Sequence, residues 1–191
     1  MGQEGEIAMI TKEKMMNWAE FTYKVAIGVI APNVRLREIP VSGIPELFDT
    51  PNLRNLTIRR LFNVHDGGNI HRRSIGSLMH MIQDSFAEGH TERRGLGTNT
   101  IAPIVSFHSY TNQDSDLHGQ RDALSRRGHT NHERLENTHG ALDAIEHSSN
   151  ILRFYQMHRP WEEVRDFLNS YVFVLENPNA EARAGSEFMR H

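Results

Sequence analysis

Apolar residues recur at helical spacing through most of the chain. They lie three or four positions apart, which places them on one face of a helix. This spacing predicts helices over residues 7–30, 51–61, 75–86, 115–127, 139–155 and 161–175. Ser74 and Thr138 precede two of these stretches, and their hydroxyl groups are suited to cap a helix N-terminus. Strand-like alternation is scarce, so we expect the all-α fold class, with a compact multi-helix domain and long loops.

The domain organisation follows from length and composition. The chain shows no internal repeat and no long linker, and its 191 residues can bury one core. We therefore expect a single domain over residues 1–176. Residues 95–110 are expected to be loop and extended chain, ending in a short apolar run. Small and polar residues dominate positions 177–191, which we expect to form a flexible C-terminal tail.

Twelve histidines and no cysteine restrict the chemistry that these residues can support. Eleven of the histidines lie between His65 and His158, and none precedes His65. The absence of cysteine excludes disulfides, thiolate zinc fingers and iron–sulfur clusters within this sequence. A central block rich in His, Asp and Glu is typical of a metal site with nitrogen and oxygen ligands.

The charge and the hydropathy of the chain exclude two classes of partner. A formal net charge of −3 provides no basic surface for phosphate contacts, so we expect no duplex nucleic-acid partner. No apolar run approaches the length of a membrane span. The first residues lack the basic and apolar segments of a secretory signal peptide. Secretion as a mature form, non-classical export and a cytoplasmic location all stay open.

Two His-x-x-x-Asp motifs each place an imidazole and a carboxylate on one helix face. In His80–Asp84 and in His118–Asp122, the two side chains are close enough to bind one metal ion. His90 follows Asp84 at a distance of about 9 Å along a continuous helix. One ion could not reach His80, Asp84 and His90 without a helix break. Two neighbouring ions with Asp84 between them are the alternative.

Other histidines are expected to lie outside a metal site. The same motif occurs at His139–Asp143, which shows that a histidine-rich chain produces it readily. We interpret this third copy as a surface pair, which stabilises a helix by only a few tenths of a kcal/mol, roughly. Four further histidines are expected on solvated helix faces: His129, His132, His147 and His158.

Three stretches between residues 46 and 122 are similar to a known family. HMIQDSFAEGHTERR contains His80, Asp84 and His90 at the spacing of a central family signature. FHSYTNQDSDLHGQRD leads into the second motif through an aromatic-rich segment, and FDTPNLRNLTIRRLFNVHDGGN carries a looser upstream similarity. On these stretches the chain resembles the zinc-dependent phospholipase C and single-strand nuclease superfamily, and in particular its bacterial phospholipase C-like members.

The resemblance implies a helical fold around a multinuclear site with about two or three zinc ions. Carried over by position, one ion would be bound by Asp49, His65, His80 and Asp84, and a second by His90, His118 and Asp122. Asp84 would also bridge towards a third ion. In the family an N-terminal Trp and a nearby His complete that third site, and this sequence has neither at that place. Glu6 is a candidate substitute.

The resemblance also implies a zinc-dependent phosphodiester hydrolase, most similar to enzymes that cleave phospholipid headgroups. Zinc lowers the pKa of bound water to near 7, and Asp49 or Asp84 would orient that water or accept its proton. Gln83 and Glu88 are expected to hydrogen-bond the ligating histidines. The partner would be a phospholipid or another phosphodiester, met in transient contact with a membrane surface.

Two further functions stay open, together with the oligomeric state. A single-strand nuclease or 3′-nucleotidase could use the same scaffold and the same ligands. A catalytically inactive, metal-stabilised interaction module would keep zinc without turnover.

Overall fold

A computed structural model of the chain describes residues 2–62, 69–98, 101–123 and 125–189, except for the side chains of Arg121 and Asp122. About half of the chain is helical, which confirms the mostly helical fold. The α-helices in these residues are α1 (Ala8–Ala26), α2 (Ile44–Leu47), α3 (Ile58–Phe62), α4 (Ile70–Asp84), α5 (Ser115–Asp122), α6 (Asn131–Glu136), α7 (Ala141–Gln156) and α8 (Trp161–Phe167), and a π-helical turn (Leu168–Val172) continues α8. The strands are β1 (Thr91–Arg93) and β2 (Ile104–Phe107).

The two strands form a small antiparallel sheet that the sequence does not predict. Thr91 lies opposite Phe107, and the register is irregular after Glu92. Strands of three and four residues are too short to show an alternating pattern. β2 falls inside the extended stretch expected over residues 95–110, whereas β1 precedes it.

The predicted N-cap of α4 is wrong. The helix begins at Ile70, so Ser74 lies inside it. The hydroxyl of Ser74 donates to the backbone carbonyl of Thr22 at 2.6 Å, which is a tertiary contact. The side-chain oxygen of Asn69 accepts from the backbone N–H of Arg72 at 3.2 Å and takes the capping position instead.

The predicted N-cap of α7 is also wrong, because the hydroxyl of Thr138 has other partners. It accepts from the backbone N–H of Ser125 at 2.8 Å and donates to the carbonyl of Arg134 at 2.7 Å. The helix begins later, at Ala141. The preceding Gly140 has a φ of +68°, a conformation that favours glycine.

The chain divides into two compact units. One comprises residues 13–81 and 151–166, and the other comprises residues 2–12, 82–150 and 167–189 of the described chain. The first unit has a core of apolar side chains from α1, α2, α3, the start of α4 and the connecting turns: Phe21, Val25, Ile30, Leu36, Ile39, Val41, Ile44, Ile58 and Ile70. The second unit carries the sheet and several buried aromatic side chains, including Phe86, Phe107, Phe173 and Phe188.

A buried arginine organises the unit that carries the sheet. The guanidinium of Arg93 donates to the carbonyl oxygens of Ser85 and Ala102, both at 2.6 Å, and to that of Val172 at 2.8 Å. It also lies over the ring of Phe86, at 3.9 Å from the centroid. Burial lowers the pKa of Arg93 to about 9. This one side chain therefore connects three segments that are distant in sequence.

The C-terminal segment over residues 175–189 runs beside β2 in the same unit. Arg183 pairs with His108 in a parallel bridge, and the backbone N–H of Ser109 donates to the carbonyl of Arg183 at 3.1 Å. Ala182 and Phe188 are buried. The segment predicted as a flexible tail thus has backbone partners and contributes to the interior of the unit.

Candidate functional site

His90 and His118 come together in the unit that carries the sheet. Their ring centroids lie 4.7 Å apart, and the ring planes are inclined by 77°. His90 is buried immediately before β1, whereas His118 is half-buried on α5. His90, which ends the central family signature, therefore contacts His118, which begins the second His-x-x-x-Asp motif. These are two of the three residues that the family resemblance assigns to one ion.

The end of α4 makes this contact possible. The helix stops at Asp84, and the chain then turns, with the backbone N–H of His90 donating to the carbonyl of Ala87 at 3.0 Å. The helix break that a common ion requires is therefore present between Asp84 and His90. Within α4, His80 and Asp84 lie one turn apart, which places them on one face. His80 is exposed and Asp84 is half-buried.

The start of α5 fixes the position of His118. Asp114 is the N-cap, and its carboxylate accepts from the backbone N–H groups of Asp116 at 2.9 Å and Leu117 at 3.1 Å. The backbone N–H of Asp114 donates to the carbonyl of Phe188 at 2.6 Å. The helix start is therefore tied to the C-terminal segment, and His118 projects from the first turn of an anchored helix.

Tyr110 contacts both histidines. Its hydroxyl lies 3.0 Å from Nδ1 of His90, and its ring packs edge-on against the ring of His118, with centroids 5.3 Å apart. The side chain is nevertheless 57% exposed. It thus combines a fixed contact with the pair and a surface that a ligand can reach. The sequence places Tyr110 in a family-like stretch but gives no spacing that assigns it to the site.

Gln113 links the two histidine-bearing segments. Its Nε2 donates to the carbonyl of Gly89 at 3.2 Å, and its Oε1 lies 2.9 Å from Nδ1 of His118. The side chain is buried. Gln83, predicted as an outer partner of the ligands, is exposed on α4. Gln113 has no helical spacing to either histidine, so the sequence offers no signal for its contact.

The other predicted ligands have different placements. Asp49 is exposed in the turn after α2, in the unit that contains residues 13–81. His65 lies outside the described residues. Asp122 ends α5, and its side chain is likewise outside the description. The carboxylate of Glu6 accepts from the hydroxyl of Thr11 at 2.7 Å.

The third His-x-x-x-Asp motif contacts the backbone of a distant loop. Asp143 accepts from the backbone N–H of Gly97 at 3.2 Å, and His139 is exposed one residue before Gly140. Across the described part of the chain, no three His, Asp or Glu side chains are grouped to hold a metal ion. His139 and Asp143 therefore complete no such group with the residues around them.

The histidine pair suits zinc in its donor chemistry. Zinc accepts imidazole nitrogen and carboxylate oxygen, and a ligating histidine usually bonds its second ring nitrogen to a carbonyl or carboxylate. His118 has this arrangement with Gln113, and His90 has a phenol at the same ring position. The described residues thus place two imidazole groups together, and the side chain of Asp122, the third residue that the resemblance assigns to this ion, lies outside the description.

A cleft of about 450 Å³ opens beside the pair. It is lined by Tyr110, Asn112, Gln113 and Met189. Met189 is 44% exposed, so the wall combines an aromatic ring, a thioether and two amides. Two of its lining residues, Tyr110 and Gln113, contact the histidine pair, although neither histidine lines the cleft itself.

Two further histidines lie in unexpected surroundings. His147, predicted on a solvated face, is half-buried between Phe86 and Phe167, with ring centroids at 5.2 and 5.7 Å. Burial lowers its pKa. His108 is buried against the C-terminal segment, and burial lowers its pKa as well. The Nδ1 atoms of both rings lack a hydrogen-bond partner within the residues that the structure describes.

Comparisons with known proteins add no assignment. No family model, no curated protein and no solved structure matches this chain. Within the described ranges, no helix combines the length and the apolar character that crossing a membrane requires. The fold and the histidine cluster therefore carry the functional argument.

Proposed function

We propose that this chain is a zinc-dependent phosphodiester hydrolase that cleaves phospholipid headgroups in the manner of a phospholipase C. The observation that carries the proposal is the contact between His90 and His118, at 4.7 Å between ring centroids. Each histidine belongs to a motif that the sequence indicates as metal-binding. Two separate surface pairs would have no reason to meet in a partly buried position.

The residues that would hold zinc fall into two groups. His90, His118 and Asp122 would bind one ion, and Asp49, His65, His80 and Asp84 would bind another, with Asp84 and Glu6 available to a third. Bound zinc supplies a Lewis acid that brings the pKa of water near 7 and neutralises phosphoryl charge. Asp84, or alternatively Asp49, would accept the proton of the attacking water.

The cleft beside the pair supports a lipid substrate. The cleft is mainly polar, with the ring of Tyr110 and the thioether of Met189 beside two amides, which suits the headgroup and glycerol part of a phospholipid. The amide of Asn112 and the hydroxyl of Tyr110 can hydrogen-bond phosphoryl or headgroup oxygens. A net charge of −3 fits a site in which metal ions, rather than basic side chains, meet the phosphate.

The test measures hydrolysis by the full chain loaded with zinc. Phosphatidylcholine vesicles and a single-stranded DNA oligonucleotide serve as substrates in parallel assays. We expect diacylglycerol to be released from the vesicles, and we expect His118→Ala to reduce this release at least 100-fold. His132→Ala is the matched control, because His132 is exposed on α6 beside Glu136 and should leave the rate unchanged.

The other outcomes identify the alternatives. Cleavage of the oligonucleotide without release of diacylglycerol would indicate a single-strand nuclease instead of a phospholipase. Bound zinc with no hydrolysis of either substrate would indicate a metal-stabilised interaction module. Equal activity of His118→Ala and wild type would show that the histidine pair takes no part in the reaction.

A further inference from the structure

We propose that Gln113 is the positioning residue of the histidine pair: it fixes the tautomer of His118 and ties that ring to the turn that carries His90. The glutamine is 8% exposed and both ends of its amide have partners. A buried amide is costly unless its donors and acceptors are satisfied, so its orientation is well determined.

The orientation of the amide follows from its contact with Gly89. Nε2 of Gln113 lies 3.2 Å from the carbonyl oxygen of Gly89, and a carbonyl can only accept a hydrogen bond. The NH₂ group therefore faces Gly89, and Oε1 faces Nδ1 of His118 at 2.9 Å. An amide oxygen has no proton, so Nδ1 must be the donor. The neutral ring of His118 thus carries its proton on Nδ1, and Nε2 is then the nitrogen with the lone pair.

The same side chain couples the two histidines mechanically. Gly89 immediately precedes His90, so one amide holds the backbone beside one imidazole and the ring of the other. The backbone of Gln113 is itself fixed by a bridge to Met189. Without the amide, neither the tautomer of His118 nor the distance between the two segments would be fixed.

Tyr110 cannot perform this function for His90. A phenol hydroxyl both donates and accepts, so its 3.0 Å contact with Nδ1 of His90 is compatible with either tautomer. The Gln113 contact is different because the carbonyl of Gly89 removes the ambiguity. The contacts therefore define the tautomer of His118 but not that of His90.

The consequence for zinc rests on the proposed function, whereas the tautomer does not. A histidine ligand presents a lone pair to the metal and donates its other N–H to a fixed acceptor, and loss of such an acceptor typically weakens metal binding about 10–100-fold. We expect a loss of this size when Gln113 can no longer accept from His118. Gln113→Glu keeps an acceptor oxygen at this position, although it gives up the bond to Gly89.

The first experiment records long-range ¹H–¹⁵N NMR spectra of the imidazole nitrogens in the full, metal-free chain near pH 7.5. Neutral wild-type His118 should show the Nδ1–H tautomer. Gln113→Leu should lose this preference, and Gln113→Glu should retain it. Gln120→Ala, on an exposed position of α5, is the matched control and should match wild type. A wild-type spectrum with the Nε2–H tautomer overturns the inference, whether or not the variants fold.

The second experiment measures zinc dissociation constants by competition with a chromophoric chelator. We expect Gln113→Leu to bind zinc about 10–100-fold more weakly than wild type, with Gln113→Glu much closer to wild type. Equal zinc affinities of the Leu variant and wild type would overturn the positioning role. If wild type binds no zinc but shows the Nδ1–H tautomer that Gln113→Leu loses, the proposed function fails and the assignment of Gln113 stands.

Discussion

The imidazole rings of His90 and His118 lie with their centroids 4.7 Å apart, although the first follows α4 and the second projects from α5. Neither ring reaches this position through helical spacing. The end of α4 at Asp84 and the Asp114 cap of α5 bring them together. The proposed metal centre therefore depends on two helix boundaries as much as on the ligands.

The carboxylate of Asp84 should affect more than one ion. We expect Asp84→Ala to abolish phosphodiester hydrolysis and to reduce bound zinc by more than about one equivalent, because the proposal gives this carboxylate a bridging position. Elemental mass spectrometry and the vesicle assay measure the two effects. Unchanged zinc content in this variant would contradict the bridging role.

A matched control for Asp84 is available in the third His-x-x-x-Asp motif. His139 is exposed, and its partner Asp143 accepts from the backbone of Gly97. We expect His139→Ala to leave zinc content and hydrolysis unchanged in the same two assays. Loss of a full zinc equivalent would show that the third motif, and not the second, provides ligands.

Arg93 should be important for stability. In Arg93→Met the carbonyls of Ser85, Ala102 and Val172 lose a buried donor, which should lower the free energy of unfolding by about 3 kcal/mol or more. Arg94→Met is the control, since Arg94 is exposed and paired only at the surface; it should cost less than about 1 kcal/mol. Urea denaturation measures both, and similar losses in the two variants would refute the assignment.

Gly140 lies where the chain approaches the turn after α4. A Cβ at this position would overlap the carbonyl oxygen of Phe86 and lie only 3.1 Å from its carbonyl carbon. Gly140 also has a φ of +68°, which strains any other residue. We expect Gly140→Ala to lower stability by about 2–4 kcal/mol.

Gly76 provides the comparison for this substitution. It lies within α4, where an added Cβ meets none of the described atoms within 4 Å. Gly76→Ala should therefore raise stability by about 0.5–1 kcal/mol. Thermal unfolding of both variants measures the difference, and a stabilised Gly140→Ala would disprove the close approach.

His147 should make the folded chain sensitive to acid. Burial lowers the pKa of His147 below its ordinary value of 6.5, so the unfolded chain binds a proton more readily than the folded chain. The stability that neutral His147 contributes is present above about pH 6.5 and is lost as the pH falls below it. His147→Phe keeps an aromatic ring between Phe86 and Phe167. It should therefore lose less stability than wild type on acidification.

Denaturation with urea at about pH 7.5 and about pH 5 compares the variant with wild type. His129→Ala, at an exposed position, is the control and should keep the full acid response of the wild type. Equal losses for His147→Phe and wild type would show that His147 does not contribute to the pH dependence.

The sequence predicts the helices better than their boundaries. Apolar spacing identifies α1, α4 and α7, because each buries one face. The caps at Ser74 and Thr138 are wrong because a hydroxyl can satisfy distant backbone groups as readily as a helix end. The six-residue α6 has too few apolar positions to produce a pattern, although Thr130 and Glu133 form a capping box before it.

The sequence likewise predicts only part of the candidate site. The motifs select His90 and His118, and helix geometry leaves two alternatives for Asp84 and His90: a helix break, or two neighbouring ions with Asp84 between them. The roles of Tyr110 and Gln113 cannot, because their contacts arise from the turn between β2 and α5 and have no periodicity. The burial of His147 depends on Phe167, which approaches from a distant part of the chain.

The proposed metal centre is tested most directly by the zinc content of the full chain, purified without chelator and dialysed against metal-free buffer. Elemental mass spectrometry should find about two or three zinc equivalents per chain, as a multinuclear phosphodiesterase site requires. The His90–His118 contact would then be part of a metal centre. No bound zinc, and no uptake when zinc is added, would show that the chain has no such metal centre.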